Sequence, residues 1–153
     1  MTNSKMLLSK LLGSPTKKAI FIGLFSFLGL IDASYLAAKH YTRTIPPCAI
    51  VKGCEVVTTS QYATIGGISV ALLGAIYYLA VLVISIAIID TKSDRLKKFL
   101  ARFSVIGLLA SIWFISLQLF VIKALCLYCL VSAFSSTTIF ITAFFLKKDS
   151  STH

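Results

Sequence analysis

Four apolar runs, each close to the length that crosses a hydrocarbon layer, constrain this chain more than any other feature; they cover about residues 19–38, 65–89, 103–122 and 126–146. A spanning helix needs about 20 mostly apolar residues, because with water excluded each backbone N–H and C=O must find its partner within the segment. The chain is 58% hydrophobic and only 13% charged, with a mean hydropathy of +0.92. An ordinary soluble domain is about 45–50% apolar. The expected fold is therefore an all-α integral membrane protein. It is one domain over residues 1–153, a four-transmembrane-helix bundle in membrane lipid.

A net charge of +10 invites a nucleic-acid reading, but the basic residues flank the apolar runs and form no single face. No nucleic acid is expected as a partner. Eleven of the fifteen Lys and Arg fall in the N-terminal segment, between residues 90 and 102, or at Lys147 and Lys148; the other four are Lys39, Arg43, Lys52 and Lys123. The positive-inside rule then puts both termini in the cytoplasm and the 39–64 and 123–125 connections outside. The implied location is a bacterial inner membrane, crossed several times. Lys5, Lys10, Lys17 and Lys18 resemble the basic start of a signal peptide, yet the run after them is longer than a signal core and no small-x-small site ends it. It is read as an uncleaved first helix.

Cysteine usage narrows the chemistry. Cys126 and Cys129 form a CxxC pair at the mouth of the fourth run, three positions apart and so on one helix face, at the positive end of the helix dipole. Cys48 and Cys54 lie in the long outer connection, where Pro46-Pro47 stiffens the approach to Cys48 and Gly53 lets the chain turn back. All four are expected at the oxidising side, where the connection between the first two helices, carrying Cys48 and Cys54, forms a loop and short-helix cap with a helical segment at residues 55–60. Thiol-disulfide exchange accounts for both pairs. The alternatives are two inert disulfides, or a non-enzymatic membrane subunit with a structural cysteine and zinc site. A CxxC disulfide closes too small a loop to stabilise much, and the second pair has the wrong spacing for a zinc half-site. No metal is expected.

Several single residues stand out. Asp32, towards the end of the first run, must face other helices or the water interface, as an interfacial residue hydrogen-bonded to a neighbouring helix or as a carboxyl near the thiols that helps move protons. Gln118 reads as an interhelical hydrogen-bonding residue, His40 as an interfacial one, and Tyr77 and Tyr78 as packing or belt residues. Gly74 and Ala75 permit close helix contact. Residues 90–98 read as a solvated charged turn.

In order, Gly29-Leu30-Ile31-Asp32-Ala33-Ser34-Tyr35-Leu36, the Cys48 and Cys54 pair, Ser60-Gln61-Tyr62-Ala63, Gly67-Ile68-Ser69-Val70-Ala71-Leu72-Leu73-Gly74 and Cys126-Leu127-Tyr128-Cys129 resemble a prokaryotic vitamin K epoxide reductase homologue. The resemblance runs over about residues 19–146. It implies a quinone, ubiquinone or menaquinone, held by Cys129, Ser60, Val70, Gly74, Ala133 and Asp32. It also implies four catalytic cysteines: Cys48 meeting a DsbA-like thioredoxin-fold carrier in the periplasm, Cys54 exchanging with Cys126, and Cys129 next to the quinone. No thioredoxin-like domain is expected on the chain itself. Ala133 stands where vertebrate enzymes have Tyr, and Ser69-Val70 where many bacterial relatives have Pro-Asn.

Overall fold

The structure, a computed structural model, describes residues 13–44, 47 and 53–150. Helix α1 covers Pro15–Tyr41, with Pro15 in its first turn, where the missing N–H costs nothing. It ends at Thr42, whose N–H and Oγ1 both donate to the Ala38 carbonyl, at 2.9 and 2.8 Å. Helix α2 is the short segment Cys54–Thr59, followed by a 3-10 turn at Gln61–Ala63. Strands β1 (Thr64–Ile65) and β2 (Ile68–Ser69) then pair antiparallel. Helix α3 is Val70–Thr91, α4 is Asp94–Ser116 continuing as a π-helical turn over Leu117–Ile122, and α5 is Leu127–Ser150.

Four of these helices are long and apolar enough to cross a membrane: Pro15–Tyr41, Val70–Thr91, Asp94–Ile122 and Leu127–Lys148. The four-helix membrane bundle expected from hydropathy is present, with revised borders. The second span starts at Val70 and not near residue 65, because Gly66 and Gly67 adopt φ of 58° and 83° and close a two-residue hairpin. Positive φ at both central positions is what a tight hairpin requires, and glycine supplies it without strain. The third helix begins at Asp94, so the charged stretch read as a solvated turn over 90–98 is mostly helix. Only Lys92 and Ser93 connect α3 to α4, with Lys92 left-handed at φ 51°. Residues 94–102 stay helical because Lys97, Leu100, Ala101 and Ser104 continue one buried stripe. The fourth helix starts at Leu127, one residue after Cys126. Within the predicted outer connection, α1 extends to Tyr41 and the cap helix starts at Cys54, not at residue 55.

Helix α1 packs on α3 and α5, and α4 packs on α5. One half of the bundle is solid: Ala19 and Ile22 of α1, Val81 and Ile88 of α3, Leu100 and Ala101 of α4, and Ile139, Ala143 and Leu146 of α5 form a buried cluster. Outward-facing side chains are large and apolar, such as Leu24, Trp113, Phe120 and Phe134. Such a surface is unstable in water and suits lipid. The other half, where α1 ends and α5 begins, carries α2, the hairpin and the cysteines.

Candidate functional site

The N-terminus of α5 is built around Cys126. Its carbonyl accepts the first helical N–H, from Leu130 at 3.1 Å, which makes Cys126 the cap residue and puts Cys129 one turn along the same face. The Cys126 N–H donates to Gln118 Oε1 at 2.9 Å. Both thiols are free. Cys126 is fully buried in the connection between α4 and α5, and a hydrogen bond from the Cys129 thiol holds its own below the usual thiol value, to about 7.

Cys54 opens α2 and is buried and disulfide-bonded. Cys48 lies outside the described residues. Gly53, just before Cys54, packs directly on the backbone of Leu125, just before Cys126; a methyl group there would overlap the Leu125 carbonyl and nitrogen. The cap is thereby joined to the CxxC turn at a point flanked by one cysteine on each side. Pro47 also reaches this turn, with its carbonyl 3.5 Å from the Tyr128 hydroxyl, a contact at the outer limit of a hydrogen bond. The Tyr128 ring lies against Tyr35, centroids 5.4 Å apart.

Below the cap, the hollow half of the bundle encloses a cavity of about 350 Å³. Cys129, Ser60, Val70, Gly74, Ala133 and Asp32, the residues expected around a quinone, all line it. Asp32 lies on α1, Ser60 at the end of the cap helix, Val70 and Gly74 on α3, Cys129 and Ala133 on α5. His40 stands on the wall with its ring edge-on to Tyr41, centroids 5.6 Å apart.

The sequence reading missed part of the wall. Tyr77, taken as packing, lines the cavity, as do Ser132 and Ser136. Tyr78 is buried and donates to the Ser132 carbonyl at 2.6 Å, with the Ser132 hydroxyl 2.9 Å away. The spacing Cys129, Ser132, Ser136 on one face of α5 was the available signal, a polar stripe on an apolar helix.

Three buried oxygens among the described residues make no hydrogen bond of ordinary geometry: Asp32 Oδ2, Tyr77 OH and Ser136 Oγ. All three residues line this cavity. Unpaired buried polar atoms cost about 1–3 kcal/mol each, so such atoms around an apolar space call for a ligand with polar atoms of its own. A flat apolar ring with two carbonyl oxygens fits: the volume lies within the roughly 300–1,000 Å³ of small-molecule sites, and Cys129 faces the space. The residues present thus suit a quinone. Among the described residues, no group of three or more His, Cys, Asp or Glu is placed to hold a metal ion.

Comparison with known proteins agrees with this geometry. A family model described as the vitamin K epoxide reductase family matches residues 20–144, which take in all four cysteines, the cavity wall and the cap. No curated protein matches the chain.

Proposed function

The chain belongs to the vitamin K epoxide reductase family, a family of multi-pass membrane thiol oxidoreductases associated with quinones, and from that premise we propose that it oxidises a thioredoxin-fold carrier outside the membrane and passes the electrons to a membrane quinone. The observation that carries this reading is the junction at Gly53 and Leu125. It joins the cap carrying Cys54 to the turn carrying Cys126, while Cys129, one helical turn on, opens on the cavity.

The steps balance as two-electron exchanges. A thiolate of the reduced carrier attacks the disulfide between Cys48 and Cys54, and the carrier leaves as a disulfide. Cys54, now a thiolate, attacks the Cys126 sulfur of the oxidised inner pair; the Cys126–Cys129 bond breaks and Cys129 departs as a thiolate. Cys48 then resolves the Cys54–Cys126 mixed disulfide, restoring the outer disulfide and leaving the inner pair as dithiol. Free thiols at Cys126 and Cys129 beside a disulfide-bonded Cys54 match that stage of the cycle. A quinone, when bound, supplies an acceptor for two electrons and two protons. Cys129 lines the space it would fill, Ser60, Val70, Gly74 and Ala133 shape that space, and Asp32, Tyr77 and Ser136 are the groups that would hold its oxygens or move protons.

The distribution of charge supports a cytoplasmic position for both chain ends and an outer position for the cap, where an oxidised carrier delivers disulfides to exported proteins. The test is quinone reduction by the purified full-length protein supplied with a reduced thioredoxin-like protein, with water-soluble ubiquinone and menaquinone analogues run separately. The parent is expected to oxidise the carrier as it reduces one or both quinones. The Cys129→Ala variant is expected to lose turnover entirely, and a variant running at the parent rate ends the assignment.

A further inference from the structure

Gln118 has no part in the steps above, yet it is 2% exposed and sits where α4 stops being an α-helix. Over Leu117–Ile122 the helix widens to a π-helical turn, and the Gln118 carbonyl accepts N–H groups from both Lys123 and Ala124, the latter at 3.1 Å. A π turn inserts one residue into the helix and re-aims the side chains around it, which is why such turns gather at functional sites. Here the re-aimed side chain points into the CxxC turn. Its oxygen takes the Cys126 N–H at 2.9 Å, so the opposite end of the carboxamide is its NH2 group, a donor only. Gln118 and Cys129 both line the cavity below the cap, so the NH2 group and the Cys129 sulfur open on the same space. A donor facing a sulfur favours the ionised sulfur over the neutral one.

We propose that Gln118 is a positioning residue for the CxxC pair: its oxygen fixes the Cys126 backbone at the cap of α5, and its NH2 donates to the Cys129 sulfur, stabilising the thiolate released there. The two thiols occupy different environments because one side chain presents opposite ends to them. The backbone of Cys126 is held still while it is attacked, and the Cys129 sulfur meets a hydrogen-bond donor as it leaves. The proposal rests on Cys126 and Cys129 being the reactive inner pair.

Two substitutions separate the ends of the carboxamide. Gln118→Glu keeps an oxygen for the Cys126 N–H but turns a second oxygen, an acceptor, towards Cys129. Gln118→Leu removes both contacts. Each is made in full-length protein carrying Cys126→Ser, with the outer disulfide intact, so that Cys129 is the thiol that reacts. The readout is the rate of Cys129 alkylation by a small uncharged maleimide in lipid nanodiscs, across the thiol titration range. Gln118→Leu is expected to react about tenfold more slowly near about pH 8, and Gln118→Glu more slowly still, since a hydrogen bond to an ionised group is lost or reversed.

A Gln118→Glu protein that reacts as fast as the Cys126→Ser protein with Gln118 intact overturns the proposal. So does a folded Gln118→Leu protein within twofold of it. If the Leu variant fails to fold, judged by loss of its helical melt, the nearly isosteric Glu variant decides alone. Quinone reduction by the parent is measured alongside. A parent that reduces no quinone but shows the slowed alkylation loses the electron-transfer reading and keeps this hydrogen bond; active parent protein with unchanged alkylation in the Glu variant does the reverse.

Discussion

The two halves of the bundle treat their buried polar groups in opposite ways. In the solid half, Ser26, Ser85 and Ser104 are fully buried, and each hydroxyl donates to a carbonyl of its own helix, Gly23, Val81 and Ala101 respectively, at 2.8–2.9 Å. Such local bonds satisfy a hydroxyl without needing a neighbour. In the hollow half, Asp32, Tyr77 and Ser136 line a cavity, and Asp32 Oδ2, Tyr77 OH and Ser136 Oγ make no hydrogen bond of ordinary geometry. The same helices supply both halves, so the difference does not arise from composition. Irregular backbone follows the same division among the described residues: the hairpin, the π turn and left-handed Arg43 and Lys123 lie at the cysteine end, whereas at the other end left-handed Lys92 joins α3 to α4. Stability is concentrated in one half and chemistry in the other, the pattern expected where strain is tolerated for function.

The largest effect is expected at the junction that separates these roles. Gly53→Val drives two methyl groups into the Leu125 backbone, where even one atom overlaps. The cap must then move away from the CxxC turn. Misplacement by about 1 Å is enough to cost about 10²-fold in a positioned reaction, so carrier-dependent turnover should fall at least that far. Thermal stability should change little, because most of the buried cluster, including Ile22, Val81, Ile88, Leu100, Ile139 and Leu146, lies away from the cap. Single-turnover mixing with reduced carrier checks it: electrons should load the outer pair and fail to reach the inner one. Normal transfer in this variant would show that the junction is incidental.

Much of the solid half was legible in the sequence, and the reason is that lipid imposes a long apolar run whatever the fold. The helix borders were less legible, because hydropathy marks where the membrane is and not where the helix stops. Helix α4 reaches water as a helix, carrying Lys97 paired with Asp94 at 2.8 Å, and the signal in those first turns is the helical spacing of Leu96, Phe99, Leu100 and Phe103, not a long apolar run. The hairpin was readable: Gly66-Gly67 between Thr64-Ile65 and Ile68-Ser69 is a two-residue turn signal, lost inside what was taken as a membrane run. Cys54 and Cys126 could be paired by motif, but only the fold shows Gly53 against Leu125. Ser136 was readable from its spacing with Cys129 and Ser132, but Tyr77 was not, because which face of an apolar helix borders a cavity depends on the helices packed around it.

A smaller effect distinguishes the two thiols. The Cys126 thiol titrates near about 7 against an ordinary value of 9.0, and the chief cause is the hydrogen bond from Cys129. A larger share of it is then ionised at neutral pH than of an unassisted thiol. The thiolate is lost as pH falls through this lowered value, and the rest of it forms as pH rises above it. The thiolate absorbance of the reduced inner pair should therefore rise around neutrality. In the Cys129→Ala variant, which removes the donor, the midpoint should move up towards the ordinary value, and an unmoved midpoint would assign the effect to the helix N-terminus alone.

The smallest effect tests the comparison most directly, by making one substitution in each half of the same helix. Ala143 is fully buried in the solid cluster, while Ala133 lies on the cavity wall. Ala143→Leu overfills a packed interior and should cost at least about 1 kcal/mol, read as a lower melting temperature in nanodiscs. Ala133→Leu grows into empty space, where the added methyl groups gain contacts without displacing a neighbour, so its melting temperature should hold or rise. That same side chain occupies room a ligand ring would need. The KM for the quinone should therefore increase in Ala133→Leu and stay at the parent value in Ala143→Leu. Equal losses of stability from the two substitutions would mean that the upper half is as tightly filled as the lower, and the unpaired oxygens around it would then face no site at all.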